Sequence, residues 1–528
     1  MNLLLSIVIH TGNILGIFTD PFEFEGDYGP EVNPTRHQVF ELVVSREALA
    51  KNLSDLEIRQ KMNNGNATEQ EVNVYKKFLV LQAVNEEKAY GPTLGELVTP
   101  ELIEEIKKYR GNLSNSGFTE SDFTDILTFL ERYKDQKIFR FLRNNPSELL
   151  SLDKALRDKA ARDGKIFNLP ILGSTKLLEG KNSFELKKNL ISSVFTEEVF
   201  SLTKPQDNIK QSLKKLNIEY LREFFGESAN NRDLEVFSSP LGQVFFYWMY
   251  QSLNLELISS NHEMIAQVNK VKDIFGRTLG NPIARANVFK DRLIASDSVV
   301  LFTQESDALV PQILTSDRLF QPVDRQNPQD GTLILLRSDL WEPNYEIISI
   351  ENYEGFKAGR MNVIHATRKN SGQQFLLASC HGHSTKSEDG RLQIQLIMQK
   401  FHQLNDGNLQ LIIGIDANTK TEEDVKLFKE HLEKLGLMST EAGPTTIKKR
   451  MVTAQHSKAG RFAIDEEDYL ITLKPEFGGQ FQFSHITVGF NEEIADTNQP
   501  LPNIHNPSDH YPVGAIMTPH KDRMKECK

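Results

Sequence analysis

The sequence predicts a layered α/β domain interrupted by a large, mostly helical segment. Three observations predict it. An apolar run opens the chain in "MNLLLSIVIH". Residues from about 40 to about 285 read mostly as helices between polar loops such as "NNGNATEQ" and "GNLSNSG". From about 285 onward, apolar strands alternate with amphipathic helices, the pattern of a sheet with one face packed under helices.

Taken in order, the first strand is expected over residues 3–9. Its apolar run is short, lacks a basic leader and runs into His10 rather than a small-residue cleavage site, so it reads as a buried strand and not a signal peptide. In the helical stretch, Ile209, Leu213, Leu216, Leu221 and Phe224 recur at helical spacing, with Gly226 placed to stop the helix. No fixed period repeats, which excludes a solenoid. The many Lys and Glu residues there read as solvated faces. "SVVLFTQE", "GTLILLRS" and "QQFLLASCHGHS" follow as strands. "GRLQIQLIMQKFHQL" reads as a helix, with Leu392, Leu396, Phe401 and Leu404 on one side. "LQLIIGIDAN" is the next strand, and "TEEDVKLFKEHLEKLG" a helix with acids in its first turn and Gly436 at its end. "DYLITL" and "YPVGAIM" complete the set.

Composition narrows the classes. A net charge of −11 over 528 residues excludes a whole-surface nucleic-acid binder, though not a local basic groove. Two cysteines, Cys380 and Cys527, exclude a disulfide framework, and no Cys/His spacing suggests zinc. No apolar run is long enough to span a bilayer, so the expectation is a soluble protein, cytoplasmic by default, with export to another cell left open.

The chemistry collects at strand ends. "FTQES" places Glu305 after an apolar run; "ASCHGHS" places His381 and His383; "GIDAN" places Asp416 and Asn418; "EEDYLI" places Asp468; "NPSDHYPV" places Asp509 and His510. Asp416 and Asn418, two apart, are expected to point the same way. Carboxylates and an amide without thiolates are hard ligands that suit Mg²⁺ or Mn²⁺. Histidines beside them suit phosphate stabilisation and proton transfer, a set that fits metal-assisted hydrolysis of a phosphate ester.

In this order the motifs resemble the endonuclease/exonuclease/phosphatase superfamily, the fold shared by pancreatic-type deoxyribonucleases, abasic-site endonucleases, deadenylases, neutral sphingomyelinases and inositol polyphosphate 5-phosphatases. "TQE" resembles its "LQE", "CHGH" its histidine segment, "GIDAN" its "GDFN" with one residue inserted, "DYLI" its "DYI", and "SDHYPV" its closing "SDHxPV". The resemblance covers residues about 290 to 520. It implies a four-layer α-β-β-α sandwich with two mixed sheets, and a large helical insertion. The family's early strand ends in a metal-site Asn. Asn13 in "HTGNILG" stands at that spacing and is preferred to Asn254, because an N-terminal strand otherwise has no sheet to join. The expected organisation is therefore 1–30 as the first strand of the catalytic domain, 31–285 as the helical insertion, and 286–520 as the main catalytic part.

The resemblance implies roles. Glu305, Asn13 and Asp509 would hold Mg²⁺ or Mn²⁺. Asp416 would activate water and Asn418 would hold water or phosphate. His510, oriented by Asp468, and His381 would contact the scissile phosphate, with His383 beside them. Asp330, leading the strand that ends in Arg337, stands where the deoxyribonuclease branch supports that histidine. "TTIKKRMVTAQHSKAGR" is expected as a basic rim loop in which Lys448, Lys449 and Arg450 bind substrate. The "WCDR" signature of the 5-phosphatases and their "NYR" continuation are absent, which counts against a phosphoinositide substrate. The inserted Ile415 is expected to bulge the strand end or shift Asp416. The expected function is hydrolysis of a phosphodiester, nucleic acid before all. A phospholipid, sphingomyelin or phosphoinositide head-group hydrolase is the alternative, and a non-catalytic binding protein on the same fold the second. The helical segment is a candidate surface for a protein partner.

Overall fold

A computed structural model describes residues 7–13, 20–24, 26–39, 92–138, 142, several positions between 152 and 163, 167–203, 230–259, 262–306, 309–316, 318–323, 331–350, 360–369, 371–384, 386–449, 462–489, 501–503, 506 and 508–520. The helix expected around residues 209–224, Asp330, and Arg450 with the rest of its basic stretch to 461 lie outside the described residues.

The strands are β1 (Ile7–Asn13), β2 (Val300–Gln304), β3 (Phe320–Pro322), β4 (Leu333–Arg337), β5 (Glu346–Ile347), β6 (Met361–Thr367) and β7 (Gln374–His381). They continue with β8 (Gln410–Asp416), β9 (Leu437–Ser439), β10 (Thr446–Lys449), β11 (Phe462–Asp465), β12 (Asp468–Leu473), β13 (Phe481–Val488) and β14 (Val513–Pro519). They form two six-stranded mixed sheets, ordered β13-β14-β1-β2-β4-β3 and β5-β6-β7-β8-β12-β9, and a separate β10-β11 hairpin.

Alternation along the strands builds the layers. In β8, Leu411, Ile413 and Ile415 face the helices Glu388–Leu404 and Glu422–Lys434, while Ile412 faces the other sheet. In β2, Val300 and Phe302 face inward and Leu301 faces outward, toward Phe289 of the helix Pro282–Ala295. Helices, sheet, sheet, helices is the expected α-β-β-α sandwich. The sheets approach closely at Gly414, where a Cβ would lie 2.4 Å from Cβ of Phe302. The residue after it makes no bulge: Ile415 pairs with Cys380 and Tyr469 in unbroken register through Asp416, so the insertion continues the strand instead of displacing it.

Two expected details shift. β1 runs through His10–Asn13, past the predicted end at residue 9, because the polar residues pair on both sides: His10 with Gly514 and Leu301, and Asn13 with Gln304. Helix Glu388–Leu404 buries Gln393, Ile394, Ile397, Met398 and Phe401; Leu392 and Leu396 sit at the margin and Leu404 is exposed. The helix is therefore rotated from the expected face, with β-branched and Met side chains against the sheet.

Between β1 and β2 lies a helical body with its own core. Helix Pro240–Ser259 is buried almost all round, as expected for a helix at the centre of a bundle. Phe245 packs on Phe123 and Phe195, with ring centroids 6.1 and 5.0 Å away. Phe22, Phe24 and Tyr28 belong to this core, as does Leu279, whereas Ile9 and Ala286 belong to the sandwich clusters. The chain thus changes core between Ile9 and Phe22 and again between Leu279 and Ala286.

Candidate active site

Register brings the polar strand ends together. Asp416 is paired with His381 in parallel β7 and with Asp468 in antiparallel β12, so three polar ends stand side by side on one edge of the second sheet. Across from them, β2 ends in Gln304, buried between the sheets, whose Nε2 donates to Thr11 Oγ1 and Ser379 Oγ, both at 3.3 Å. The next residue, Glu305, has a positive φ of 53°. A left-handed turn costs a non-glycine residue about 1 kcal/mol or more. It is held by Ser306 N–H donating to Gly331 O at 2.9 Å, an approach so close that a Cβ on Gly331 would sit 2.5 Å from Ser306 N. The turn aims the Glu305 carboxylate at His381, Oε1 to Nε2 3.8 Å.

His510 lies at the centre. Its Nδ1 is 2.7 Å from Asp468 Oδ2, a geometry in which Nδ1–H donates to the carboxylate and Nε2 is turned to the site. The loop carrying it is braced, with Asn506 Nδ2 donating to His510 O at 2.9 Å and His510 N to Ser508 Oγ at 3.2 Å. Nε2 lies 3.5 Å from Glu467 and 3.9 Å from both Asp416 and Asp509. His381 Nε2 lies 3.7 Å from the same Asp416 Oδ2. Asp416 therefore faces two imidazoles, while its Oδ1 accepts Asn418 N–H at 3.0 Å.

Burial sets the electrostatics. Burial and Lys448 oppose a charge on His510, but Asp468, Asp509 and Asp416 outweigh them and raise it to about 10. Asp468 is pushed up to about 6, chiefly by burial, with His510 acting against the rise. Burial alone would lower Lys448; Asp509, Glu467 and Asp416 more than reverse this and hold it protonated.

The expected site residues divide. Glu305, His381, Asp416, Asp468, Asp509 and His510 converge. The backbone of Asn13 stands one strand from Gln304 in register. Asn254 lies within helix Pro240–Ser259, in the helical body. Asn418 does not share a strand face with Asp416. β8 ends at Asp416, the chain turns with Asn418 at φ 52°, and the Asn418 amide donates to Gly382 O at 3.1 Å. The Asp416–Asn418 hydrogen bond closes an Asx-type turn, which competes with strand continuation. His383 forms an isolated bridge with Lys386.

Lys448 is not on a solvent rim. It lies on β10 with its ammonium 3.1 Å from Asp509 and 3.3 Å from Glu467, its side chain 18% exposed. A strand alternates faces, so one lysine of the Lys-Lys-Arg run turns inward where a basic loop would expose all three. Lys449 is described only as backbone of β10, paired with Phe462.

Glu467 was not expected. It is buried, and its N–H and that of Asp468 both donate to Thr445 Oγ1, at 3.0 and 3.1 Å. The run of three acids before "DYLI" was the available signal, but nothing in it marked which of them turns inward.

No family model matches the chain, and no curated protein matches it. Solved structures do. The chain is similar to D. rerio TDP2 complexed with single-strand DNA product, at 16% identity over 44% of this chain and 91% of that one, with a TM-score of 0.33. It is also similar to an endonuclease/exonuclease/phosphatase from Bacteroides vulgatus, at 15% over 47% and 94%, with a TM-score of 0.35. A third is the Bacteroides thetaiotaomicron mannosyl-6-phosphatase Bt3783, at 15% over 44% and 90%, with a TM-score of 0.33. The class defined by fold and site is an α-β-β-α sandwich with a histidine–carboxylate centre where the two sheets end.

Proposed function

We propose that this chain is a divalent-metal-dependent phosphoesterase, and that its substrate is a phosphodiester in nucleic acid. The observation that carries the reading is the Asp468–His510 pair at 2.7 Å, placed so that His510 Nε2 and His381 Nε2 flank one oxygen of Asp416. Two imidazoles around one carboxylate suit a reacting phosphoryl group better than a structural role.

The donor set fits a hard cation. Five carboxylates, those of Glu305, Asp416, Glu467, Asp468 and Asp509, meet one lysine and two imidazoles, and all but Glu305 are buried. Such a surplus of buried negative charge requires compensation. Mg²⁺ or Mn²⁺ would sit at Glu305, whose side chain is 40% exposed, with Asn13 one strand away. When bound it supplies Lewis-acid stabilisation of the phosphoryl oxygens.

The chain's own groups do the rest. Asp416 Oδ2 accepts the proton of the attacking water. His510, charged at neutral pH, donates from Nε2 to a phosphoryl oxygen as negative charge builds, and Asp468 keeps its tautomer and orientation. His381 donates from the second side. Asn418 positions Gly382 beside His381 rather than touching phosphate. Exposure at Glu305 sets the side from which substrate enters. The remaining basic residues of the run, Lys449, Arg450, Lys458 and Arg461, support a polyanionic substrate.

The test is a panel of DNA, RNA, sphingomyelin and phosphoinositide with Mg²⁺ at two salt concentrations. Nucleic-acid hydrolysis that stops in EDTA, returns with Mn²⁺ and falls about 10²-fold in Glu305→Gln is expected. Hydrolysis of lipid alone would remove nucleic acid from the reading. Failure on every substrate by protein that binds Mg²⁺ would favour a binding protein.

A further inference from the structure

Lys448 stands beside a group of side chains that could otherwise hold a cation. Asp416, Glu467 and His510 each offer a ligand atom, and these atoms lie within 4.8 Å of one another, all buried. An ammonium already occupies this space. Nζ of Lys448 is 3.0 Å from His510 Nε2, 3.1 Å from Asp509 Oδ2 and 3.3 Å from Glu467 Oε2.

The placement is built in by the backbone. β10 belongs to neither large sheet, yet it is pinned to both segments that carry these groups. Tyr511 N–H donates to Thr445 O and Leu501 N–H to Ile447 O, each at 2.7 Å, and Thr446 bridges His510. Thr445 Oγ1 takes the N–H groups of Glu467 and Asp468. Ile447 is fully buried against Leu501 and Tyr511, which anchors the strand and turns its neighbour Lys448 to the opposite face. A freely solvated lysine needs none of this.

Resting on the metal-dependent reading, we propose that the Lys448 ammonium is a fixed cation filling the position between Asp509, Glu467 and His510. The chain then takes one divalent ion, on the Glu305 side, and lysine neutralises the other side. Asp509 and Glu467 hold the lysine rather than metal. A lysine cannot leave with product or be stripped by a chelator, so this side of the site stays charged and in place between turnovers.

The test counts Mn²⁺ bound to the full chain without substrate, by calorimetry and by electron paramagnetic resonance. Wild type should bind one ion, and Glu305→Gln should bind none at the same concentrations. Lys448→Ala should bind two, because the carboxylates of Asp509 and Glu467 lose their cation, and Lys448→Arg should stay at one. Two ions in wild type, or still one in folded Lys448→Ala, would overturn the proposal. Should Lys448→Ala not fold, the wild-type count and Lys448→Gln decide it by the same criteria. No ion in wild type would sink the metal-dependent reading itself, an outcome distinct from a count of two.

Discussion

The sandwich and the helical body both bury charge, and they do so differently. In the helical body Arg36, Arg157 and Lys272 are each settled by their own partners. Arg36 donates to Pro21 O and Gly26 O at 2.9 and 2.8 Å and to Phe24 O, and it stacks on Tyr28. Arg157 pairs with Asp153, whose other oxygen accepts from Tyr247 Oη, at 2.6 and 2.7 Å. Lys272 donates to the carbonyls of Ile171 and Ser174. In the sandwich, Asp416, Glu467, Asp509, His510 and Lys448 share one another within 3.0–3.9 Å. Charge matched to backbone carbonyls fixes a fold; charge crowded onto one point is poised to take a substrate or an ion.

The sharpest break in this comparison is Asp416→Asn. Its Oδ1 can still accept Asn418 N–H, so the fold should hold, while loss of the base should lower kcat/KM about 10³- to 10⁴-fold. Steady-state kinetics on whichever substrate wild type cleaves will measure it, and a loss under tenfold would remove Asp416 from the chemistry. Phe245→Ala should show the opposite signature. Emptying the aromatic centre of the helical body should cost about 3–5 kcal/mol of stability, read by denaturant unfolding, with turnover per folded molecule within threefold of wild type.

Gly414→Ala joins the two readouts. Its Cβ would press on Phe302 two residues before Asp416, so overpacking of about 1–3 kcal/mol should appear together with a drop in kcat. Unchanged kcat at reduced stability would mean that Asp416 is held independently of the sheet spacing.

Asp20→Asn is the mildest. Burial and Glu23 raise Asp20 from 3.8 to about 7. A carboxyl whose folded value is raised gives its full stability below its ordinary value and loses it as pH climbs toward the folded one. Lys272, lowered to about 7 by burial, changes its contribution only above that pH, so Asp20 alone of this pair acts between about 4 and about 7. The Asn variant should gain on wild type across this window by roughly 1 kcal/mol or more, followed as the difference in Tm. A constant difference would place the titration elsewhere.

Much of the sandwich was legible because its strands alternate cleanly and end in polar residues of one chemical type. The "LQLIIGID" run gave β8 and Asp416 together, and "SDHYPV" gave His510. The Asn418 turn was harder, since an Asx hydrogen bond is a three-dimensional competitor to strand continuation. Lys448 was misplaced because Lys-Lys-Arg carries the composition of a solvated loop, and only pairing with β11 and Leu501 shows which way a lysine points. Glu467 was hidden among identical neighbours. The rotated helix Glu388–Leu404 shows a third kind of miss: seven apolar residues fit two overlapping faces, and the sheet decides between them.

The position of β1 bears on how the protein is born. Ile9 pairs with Val300 and Ile7 with Met517, so β1 waits for partners made hundreds of residues later in synthesis. Domains generally fold as they emerge, N-terminal ones first, and the helical body lies wholly inside that interval. Once compact, it brings β1 close to the site where β2 will appear and shortens the effective loop, easing a closure that would otherwise carry the slow, high-contact-order search of distant strands. Pulse-labelled hydrogen exchange during refolding should find β1 and β14 amides protected last. Protection of β1 before the helical amides would reverse the order. The nascent chain thus carries an apolar strand in waiting, and the helical body serves as the clasp that is fastened before the sheet is sewn.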